Sequence, residues 1–250
     1  MSAAFPAATP TVKSLAIVLG AGPGTGAALA HAFASKHAVA LLARNKDSLA
    51  KVADDVRKAG GDVDAFSCDV SSCDSLDSAF KQIKERFPMH PLKAALFNAN
   101  SPFVVKPFLE LEKKDLDPAV GVNIYGAYYF SQKVIPLLLE SGGGFLSFTG
   151  ATAALKGSAK FAAFAPTKFA LRGLSQSLAR EFGPQNIHVV HAIIDGIIAT
   201  EAVKGYLGED KGGDSRIDPA AIASTLLHLA EQPKSCWTHE IDIRPSVEKW

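Results

Sequence analysis

The stretch LAIVLGAGPGTG, residues 15–26, decides the fold of this chain. Five apolar residues come first, and a cluster of glycines separates them from an alanine-rich segment with helical spacing. A strand, a glycine turn and a helix in this order can hold a phosphate, because backbone N–H groups and the positive end of the helix dipole face it. A glycine cluster also fits a plain tight turn, but its position after the first strand favours phosphate binding.

Short apolar runs alternate with longer amphipathic segments on the C-terminal side of this stretch. The runs predict strands at 15–19, 39–42, 63–67, 94–97, 145–148, 187–191 and 240–243. The amphipathic segments predict helices at 24–35, 46–59, 72–86, 116–139, 161–182 and 219–230. Such alternation predicts an α/β fold, a single-domain, doubly wound parallel sheet of about seven strands flanked by helices. Asn45 is expected to cap the second helix.

Composition excludes several classes of protein. The 250 residues are 48% hydrophobic and 20% charged, with 26 basic and 25 acidic side chains, so no strong field draws the chain to nucleic acid or to an acidic membrane. Charges, glycine or proline interrupt each apolar run before the length of about 18 residues that crosses a bilayer. Three cysteines without a Cys-x-x-Cys pattern offer no metal site and favour a reducing compartment. We expect a cytoplasmic protein without metal, nucleic-acid partner or membrane contact.

Two segments depart from the alternating pattern. Residues 1–12 are rich in alanine and proline and lack the basic region of a secretion signal, so we expect a flexible leader before one domain at 13–250. Residues 200–216 carry four glycines among charges and have weak periodicity. Because ligands of open parallel sheets bind at the carboxyl ends of strands, where this segment begins, we predict that it is a mobile lid.

The residues after the second strand select the nucleotide. An acidic side chain there would accept hydrogen bonds from ribose and repel a 2′-phosphate, whereas this chain has Ala43 and Arg44. The guanidinium suits a phosphate, so NADP(H) is favoured over NAD(H), unless Arg44 is only a solvated residue at a helix start. Asp69, after the third strand, either accepts from the adenine amino group or is a turn residue.

Several separated features resemble the short-chain dehydrogenase/reductase family between about Ser14 and Arg244. The matching segments are Gly20-x-x-x-Gly24-x-Gly26, Asn98-Ala99-Asn100, Val122-Asn123-Ile124, Phe164-x-x-x-Lys168, and Asp195-Gly196 followed by Thr200. The resemblance implies a Rossmann-like fold, a small-molecule substrate and a homodimer or homotetramer. Together with the glycine turn, it implies a cofactor site made of Gly20, Gly22, Gly24, Thr25, Gly26, Arg44, Asn45, Asp69, Val70, Asn98, Ala99, Lys168, Gly196 and Ile198.

The resemblance fails at the proton-transfer residues. In the family a tyrosine exchanges a proton with the substrate oxygen, a serine steadies that oxygen, a lysine lowers the tyrosine pKa and an asparagine anchors a water relay. This sequence keeps Lys168 and Asn123, but Phe164 stands at the tyrosine position and Ala151 at the serine position. Phenylalanine has no transferable proton, so the usual acid–base step cannot run here.

Substitute proton donors have two interpretations each. Thr149 and Thr152 either reach the substrate with a hydroxyl or are ordinary strand residues. Asp195 replaces the expected proline among apolar neighbours, which would favour its protonated form, as a proton donor or as an anchor for a cationic substrate; alternatively it is a turn carboxylate. Lys168 either binds the cofactor ribose or is exposed, and a lone strand histidine such as His191 is usually structural.

Aromatic side chains indicate the substrate class. Phe103, Phe161, Phe164, Tyr206 and Trp237 are candidates for the wall of an apolar pocket. We therefore expect an NADP(H)-dependent oxidoreductase with a non-standard catalytic set that reduces an imine, or an activated C=C or C=O bond, of a small apolar substrate. The alternative is a catalytically silent dinucleotide-binding sensor or scaffold protein.

Overall fold

The apolar runs pair into one parallel sheet in the computed structural model, which describes residues 12–210 and 214–248. The strand order is β3-β2-β1-β4-β5-β6-β7, and every pair is parallel. The strands are β1 Leu15–Leu19, β2 Ala38–Ala43, β3 Val63–Ser67, β4 Leu92–Phe97, β5 Gly144–Thr149, β6 Ile187–Ile194 and β7 Glu240–Ile243. The predicted seven-stranded α/β fold is thereby confirmed. Most of the predicted leader, residues 1–11, lies outside the described residues.

Helices cover both faces of the sheet. They are α1 Thr25–Ala34, α2 Lys46–Lys58, α3 Cys73–Arg86, α4 Lys113–Val120, α5 Ala127–Glu140, α6 Ala165–Phe182, α7 Glu201–Leu207 and α8 Pro219–Ala230. One core lies under α3, α5 and α6, and the other lies under α1, α2 and α8. The strands β1 and β2 are buried on both faces, which explains why each appears in the sequence as a continuous apolar run. Within the described residues, no helix is long and apolar enough to span a bilayer.

Strand order changes direction between β1 and β4, and a cleft opens there. The chain leaves β1 toward β2 on one side, whereas β4 lies on the other side and leads to β5. The loops that follow the two central strands therefore diverge, which is the geometry in which open parallel sheets bind ligands. The glycine turn after β1 lies at this point.

Three predicted elements differ from the structure by more than two residues, and the other predicted elements agree within two residues at each end. The segment predicted as one helix at 116–139 is α4, a π-helical turn at Gly121–Gly126, and α5. A wider turn keeps the apolar spacing nearly intact, so periodicity does not reveal it. The helix predicted from Phe161 starts at Ala165, since residues 161–164 form turns, and β6 extends three residues beyond the predicted end. The predicted cap of α2 is confirmed, because Asn45 Oδ1 accepts a hydrogen bond from Ser48 N at 2.9 Å.

The glycine turn packs too tightly for side chains at two positions. Gly20 has φ +86°, and a Cβ atom there would lie 2.5 Å from Ala99 N at the end of β4. A Cβ on Gly26 would lie 2.2 Å from the carbonyl oxygen of Gly20. A Cβ on Gly22 would meet no atom within 4 Å, because this residue faces the open cleft.

We predict opposite outcomes for two alanine substitutions in this turn. Gly26→Ala should lower the free energy of unfolding by at least about 2 kcal/mol, because the clash involves backbone atoms that cannot rotate away. Gly22→Ala is the matched control and should stay within about 0.5 kcal/mol of the wild type. Urea unfolding followed by circular dichroism measures both values, and equal losses would contradict the packing described here.

Candidate active site

Two adjoining cavities fill the cleft. The smaller cavity, of about 280 Å³, extends over the ends of β2 and β3, and the larger, of about 570 Å³, extends over the ends of β5 and β6. The predicted cofactor residues that line one or both cavities are Gly20, Gly22, Thr25, Gly26, Arg44, Asn45, Val70, Asn98, Ala99, Lys168, Gly196 and Ile198. Gly24 and Asp69 do not line either cavity.

Arg44 and Asn45 border the smaller cavity where α2 begins. The Arg44 side chain is exposed, and its charge helps to hold the pKa of Asp69 low. The larger cause of that lowered pKa is a hydrogen bond from the Ser71 hydroxyl at 2.7 Å, and Asp69 also accepts from Ser71 N at 3.0 Å. Of the two interpretations of Asp69, the structure favours the turn residue.

A chain of hydrogen bonds joins the ends of three adjacent strands below the cavities. The Thr149 hydroxyl donates to Asn98 Oδ1 at 3.0 Å, and Asn98 Nδ2 donates to the carbonyl oxygen of Gly20 at 3.1 Å. Thr149 ends β5, Asn98 follows β4 and Gly20 follows β1. The hydroxyl proton of Thr149 is therefore engaged in positioning the glycine turn.

Lys168 lies in the first turn of α6 and is 2% exposed. Its Nζ donates to the carbonyl oxygen of Thr149 at 3.1 Å and lies 5.7 Å from the ring centroid of Phe164. It forms no ion pair with any carboxylate in the described part of the chain, and burial lowers its pKa to about 8. The interpretation of Lys168 as an exposed lysine is wrong.

Aromatic rings form one wall of the larger cavity. Phe103 contacts both Phe161 and Phe164 edge to face, with centroid distances of 5.2 and 5.0 Å. Ala151 lines the same cavity. Apolar side chains, Phe164 and Ala151, thus occupy both positions that the resemblance gives to the family's tyrosine and serine. Tyr206 and Trp237 were the wrong candidates for this wall. Tyr206 is 88% exposed on α7, and Trp237 stacks on His188 near the opposite end of β6.

The expectation of apolar surroundings for Asp195 is wrong. Its Oδ2 lies 3.1 Å from Nη2 of Arg244, and it accepts a hydrogen bond from the Thr152 hydroxyl. Both partners stabilise a carboxylate, and Asp195 does not line the cavity. Thr152 belongs to a 3₁₀ turn at 152–154 instead of a strand, and its hydroxyl is engaged with the carboxylate. Neither residue is free to serve the substrate as a donor or as an anchor for a cation.

Asn123 lies in the π-helical turn and is completely buried. Its Nδ2 donates to Thr167 Oγ1 at 3.0 Å, and the Thr167 hydroxyl donates to the carbonyl oxygen of Phe164 at 2.8 Å. Asn123 thus holds the start of α6, the helix that carries Lys168. Its Oδ1 has no hydrogen-bond partner among the described residues.

A half-buried charge network around the buried His191 was missed by the sequence analysis. Arg172 donates two hydrogen bonds of 2.7 Å to Glu240, and Glu240 lies 3.2 Å from Nδ1 of His191. Burial lowers the pKa of His191 to about 4, so the imidazole is neutral at pH 7. A Cβ atom on Gly150 would lie 2.3 Å from His191 Nε2, so position 150 requires glycine. The spacing of Arg172, four residues after Lys168, was the available signal.

The segment predicted as a lid begins at the larger cavity. Thr200 caps α7 by accepting a hydrogen bond from Val203 N at 3.3 Å, and both residues line the cavity. A Cβ on Gly24 would lie 2.7 Å from the Thr200 methyl group, so the start of this segment contacts the glycine turn. Residues 211–213 lie outside the described part, and the mobility of the segment stays a prediction.

We predict that Lys168→Met stabilises the protein at neutral pH. A folded-state pKa near 8 against 10.5 unfolded means that the native state disfavours the charged amine, by about 3 kcal/mol at pH 7. This penalty is fully present below pH 8 and disappears as pH rises toward 10.5, so the difference between variant and wild type should shrink over that range. Urea unfolding at pH 7, 9 and 10.5 measures it, and a destabilised variant at pH 7 would contradict the assignment.

The sequence has relatives along almost its whole length. The profile of the short chain dehydrogenase family matches residues 14–210. An uncharacterized oxidoreductase of Staphylococcus aureus strain N315 is 27% identical over 238 residues, which are 95% of this chain and 99% of that protein. D-threitol dehydrogenase of Mycolicibacterium smegmatis is 31% identical over 194 residues, which are 75% of this chain and 71% of that protein.

Solved structures share the fold. The crystal structure of a short-chain dehydrogenase from Rhodopseudomonas palustris has 34% sequence identity and a TM-score of 0.79, over 93% of this chain and 98% of that chain. A metagenomic short-chain oxidoreductase in complex with NADP has 23% identity and a TM-score of 0.79, over 95% and 99% of the two chains. Sequence profile, relatives and fold agree, and the chain belongs to the short chain dehydrogenase family of oxidoreductases.

Proposed function

We propose that this protein is an NADP(H)-dependent oxidoreductase that acts on a small apolar substrate without the family tyrosine and serine. The observation that carries the proposal is the pairing of two features in one cleft. The glycine turn and Arg44 border one end, and the buried Lys168 faces an apolar cavity at the other end. Lys168 forms no ion pair within the described part of the chain. Burying its ammonium group therefore costs free energy, which supports a functional role for this residue.

The chain's own residues fit a dinucleotide. Gly22 leaves open space where a side chain would stand, which suits the close approach of a pyrophosphate to the backbone. Arg44 supports the choice of NADP(H), since a guanidinium pairs with the 2′-phosphate and Ala43 does not repel it. Lys168 would bind the nicotinamide ribose, as the family resemblance implies. When bound, the cofactor supplies or accepts a hydride.

The larger cavity favours a carbonyl group or a conjugated C=C bond as the hydride acceptor. Its wall of Phe103, Phe161 and Phe164 suits an apolar substrate body. A cationic imine would need a nearby negative charge, but Asp195 is engaged with Arg244 and lies outside the cavity. The cavity therefore disfavours an imine as the substrate.

Subunit contacts stay a prediction of the family resemblance. Tyr128 on α5 and Phe169 on α6 are 52% and 44% exposed, and Tyr125 in the π-helical turn is 54% exposed. An exposed aromatic surface of this kind supports a homodimer or homotetramer.

A second candidate function is a silent dinucleotide sensor or scaffold. The observation that favours it is that phenylalanine and alanine occupy both hydroxyl positions, although the nucleotide end of the cleft is kept. The two functions differ in turnover, since a sensor binds NADPH but does not oxidise it.

We predict that Arg44→Ala weakens NADPH binding by about 10- to 100-fold, because a charge-assisted hydrogen bond is worth about 1.5–3 kcal/mol. NADH affinity should change by no more than a few-fold. The control is Lys51→Ala, which removes one positive charge from the exposed side of α2, the helix that follows Arg44. This variant should leave both affinities unchanged. Titration of cofactor fluorescence measures the dissociation constants, and equal weakening for NADPH and NADH would contradict the role of Arg44.

A turnover assay decides between the two functions. Stopped-flow mixing of NADPH-loaded protein with apolar aldehydes, ketones and enones should show slow cofactor oxidation by the wild type. The double variant Phe164→Tyr with Ala151→Ser should reduce ketones at least about tenfold faster, because a positioned acid and an oxyanion donor are restored. If the wild type binds NADPH but oxidises none, whereas the double variant does, the sensor function is supported instead.

A further inference from the structure

We propose that the ammonium group of Lys168 is the proton donor of this enzyme and protonates the oxygen of an apolar carbonyl substrate in place of the missing tyrosine. The inference rests on the proposed function, since it needs a carbonyl substrate in the larger cavity. It assigns Lys168 a direct chemical step, beyond binding the ribose of the cofactor.

Lys168 has the position that such a donor needs. It is the one titratable side chain that lines the larger cavity in the described part of the protein. Its Nζ lies 5.7 Å from the ring centroid of Phe164, the residue at the tyrosine position. One of its three N–H bonds is donated to the carbonyl oxygen of Thr149, and Nζ makes no second hydrogen bond to any described residue. A substrate oxygen in the cavity would provide one.

The two threonine hydroxyls that the sequence offered as substitute acids are already engaged. The Thr149 proton is donated to Asn98 at 3.0 Å, and the Thr152 proton is donated to Asp195. Redirecting either one would leave a polar atom without its partner inside the protein, which costs free energy. Neither threonine is therefore a substitute acid.

The charged and titratable groups packed around Lys168 do not replace it either. On β6, His191 is neutral at pH 7 and its Nδ1 lies against Glu240 of β7. The charge of Glu240 is balanced by two hydrogen bonds from Arg172, one turn further along α6. Asn123, from the π-helical turn, carries no charge. Among the described residues the ammonium group therefore has no counterion, and burial lowers its pKa to about 8, a value suited to giving up a proton near neutral pH.

The step balances with a dihydronicotinamide as the reductant. As the carbonyl carbon receives a hydride, the π electron pair of the C=O bond moves to oxygen. Lys168 donates its proton there, so that an N–H bond breaks and an O–H bond forms. The products are the alcohol, the oxidised nicotinamide and a neutral Lys168 amine, which takes a proton from water when the alcohol leaves. In the reverse direction the neutral amine is the base.

A measurement without cofactor or substrate tests the proton affinity of Lys168. The protein is labelled with ¹³Cε-lysine, and the signal that disappears in Lys168→Arg is assigned to Lys168. We expect this signal to titrate near pH 8, about two units below the exposed lysines. A midpoint at or above pH 10 would overturn the inference, since such an amine would resemble any surface lysine.

Kinetics test the step itself. With NADPH and the best carbonyl substrate found, kcat/KM of the wild type should fall tenfold per pH unit above about pH 8, as the ammonium form is lost. Lys168→Arg keeps a charge and hydrogen-bond donors but does not release a proton below about pH 12. We expect kcat of Lys168→Arg to be about 10²- to 10⁴-fold lower than that of the wild type. Its kcat/KM should no longer fall with rising pH above about pH 8. Its NADPH dissociation constant should change less than tenfold.

The outcomes separate this inference from the proposed function. Turnover by the wild type with a flat profile between pH 7 and 10, or with kcat of Lys168→Arg within threefold of the wild type, would overturn the role of Lys168 and leave the oxidoreductase intact. A lysine variant whose losses appear only as a higher KM for NADPH would likewise reduce Lys168 to a cofactor contact. Absence of turnover with every carbonyl compound would overturn both.

Discussion

The hydrogen bonds from Thr149 to Asn98 and from Asn98 to the carbonyl oxygen of Gly20 hold the site together. They tie the carboxyl ends of β5, β4 and β1 to one another at the point where strand order reverses. The backbone of the glycine turn packs against Ala99. This contact is possible only because Gly20 has no side chain. The cleft depends on this constraint, since its two cavities meet at the same residues.

The two ends of the cleft differ in their side chains, since Arg44 borders the smaller cavity and aromatic rings line the larger one. Phe164 and Ala151, at the positions that the family resemblance gives to the two hydroxyls, line the larger cavity together with the buried ammonium group of Lys168. Burying an ammonium group that forms no ion pair with a described residue lowers the stability of the folded protein. Destabilising groups of this kind are concentrated at functional sites. The same burial that destabilises the charged form of Lys168 makes its proton easier to transfer.

The sequence predicted the features that arise from neighbouring residues. The order strand, glycine turn and helix at 15–26 and the cap at Asn45 are both local, and the structure confirms them. Partners distant in sequence were not predictable. Asp195 has polar partners because β6 and β7 lie side by side and bring Arg244 next to it, although its sequence neighbours are apolar. Likewise, strand pairing sets His191 against Glu240, and the π-helical turn around Asn123 preserves the apolar spacing of an ordinary helix.

We propose that this chain binds a nicotinamide cofactor although Phe164 and Ala151 stand at the positions of the family's tyrosine and serine. Calorimetric titration of NADPH into the purified protein at pH 7 tests it most directly. We expect one binding site per chain, with micromolar affinity and weaker binding of NADH. No detectable heat or saturation with either nucleotide at millimolar concentration would contradict it.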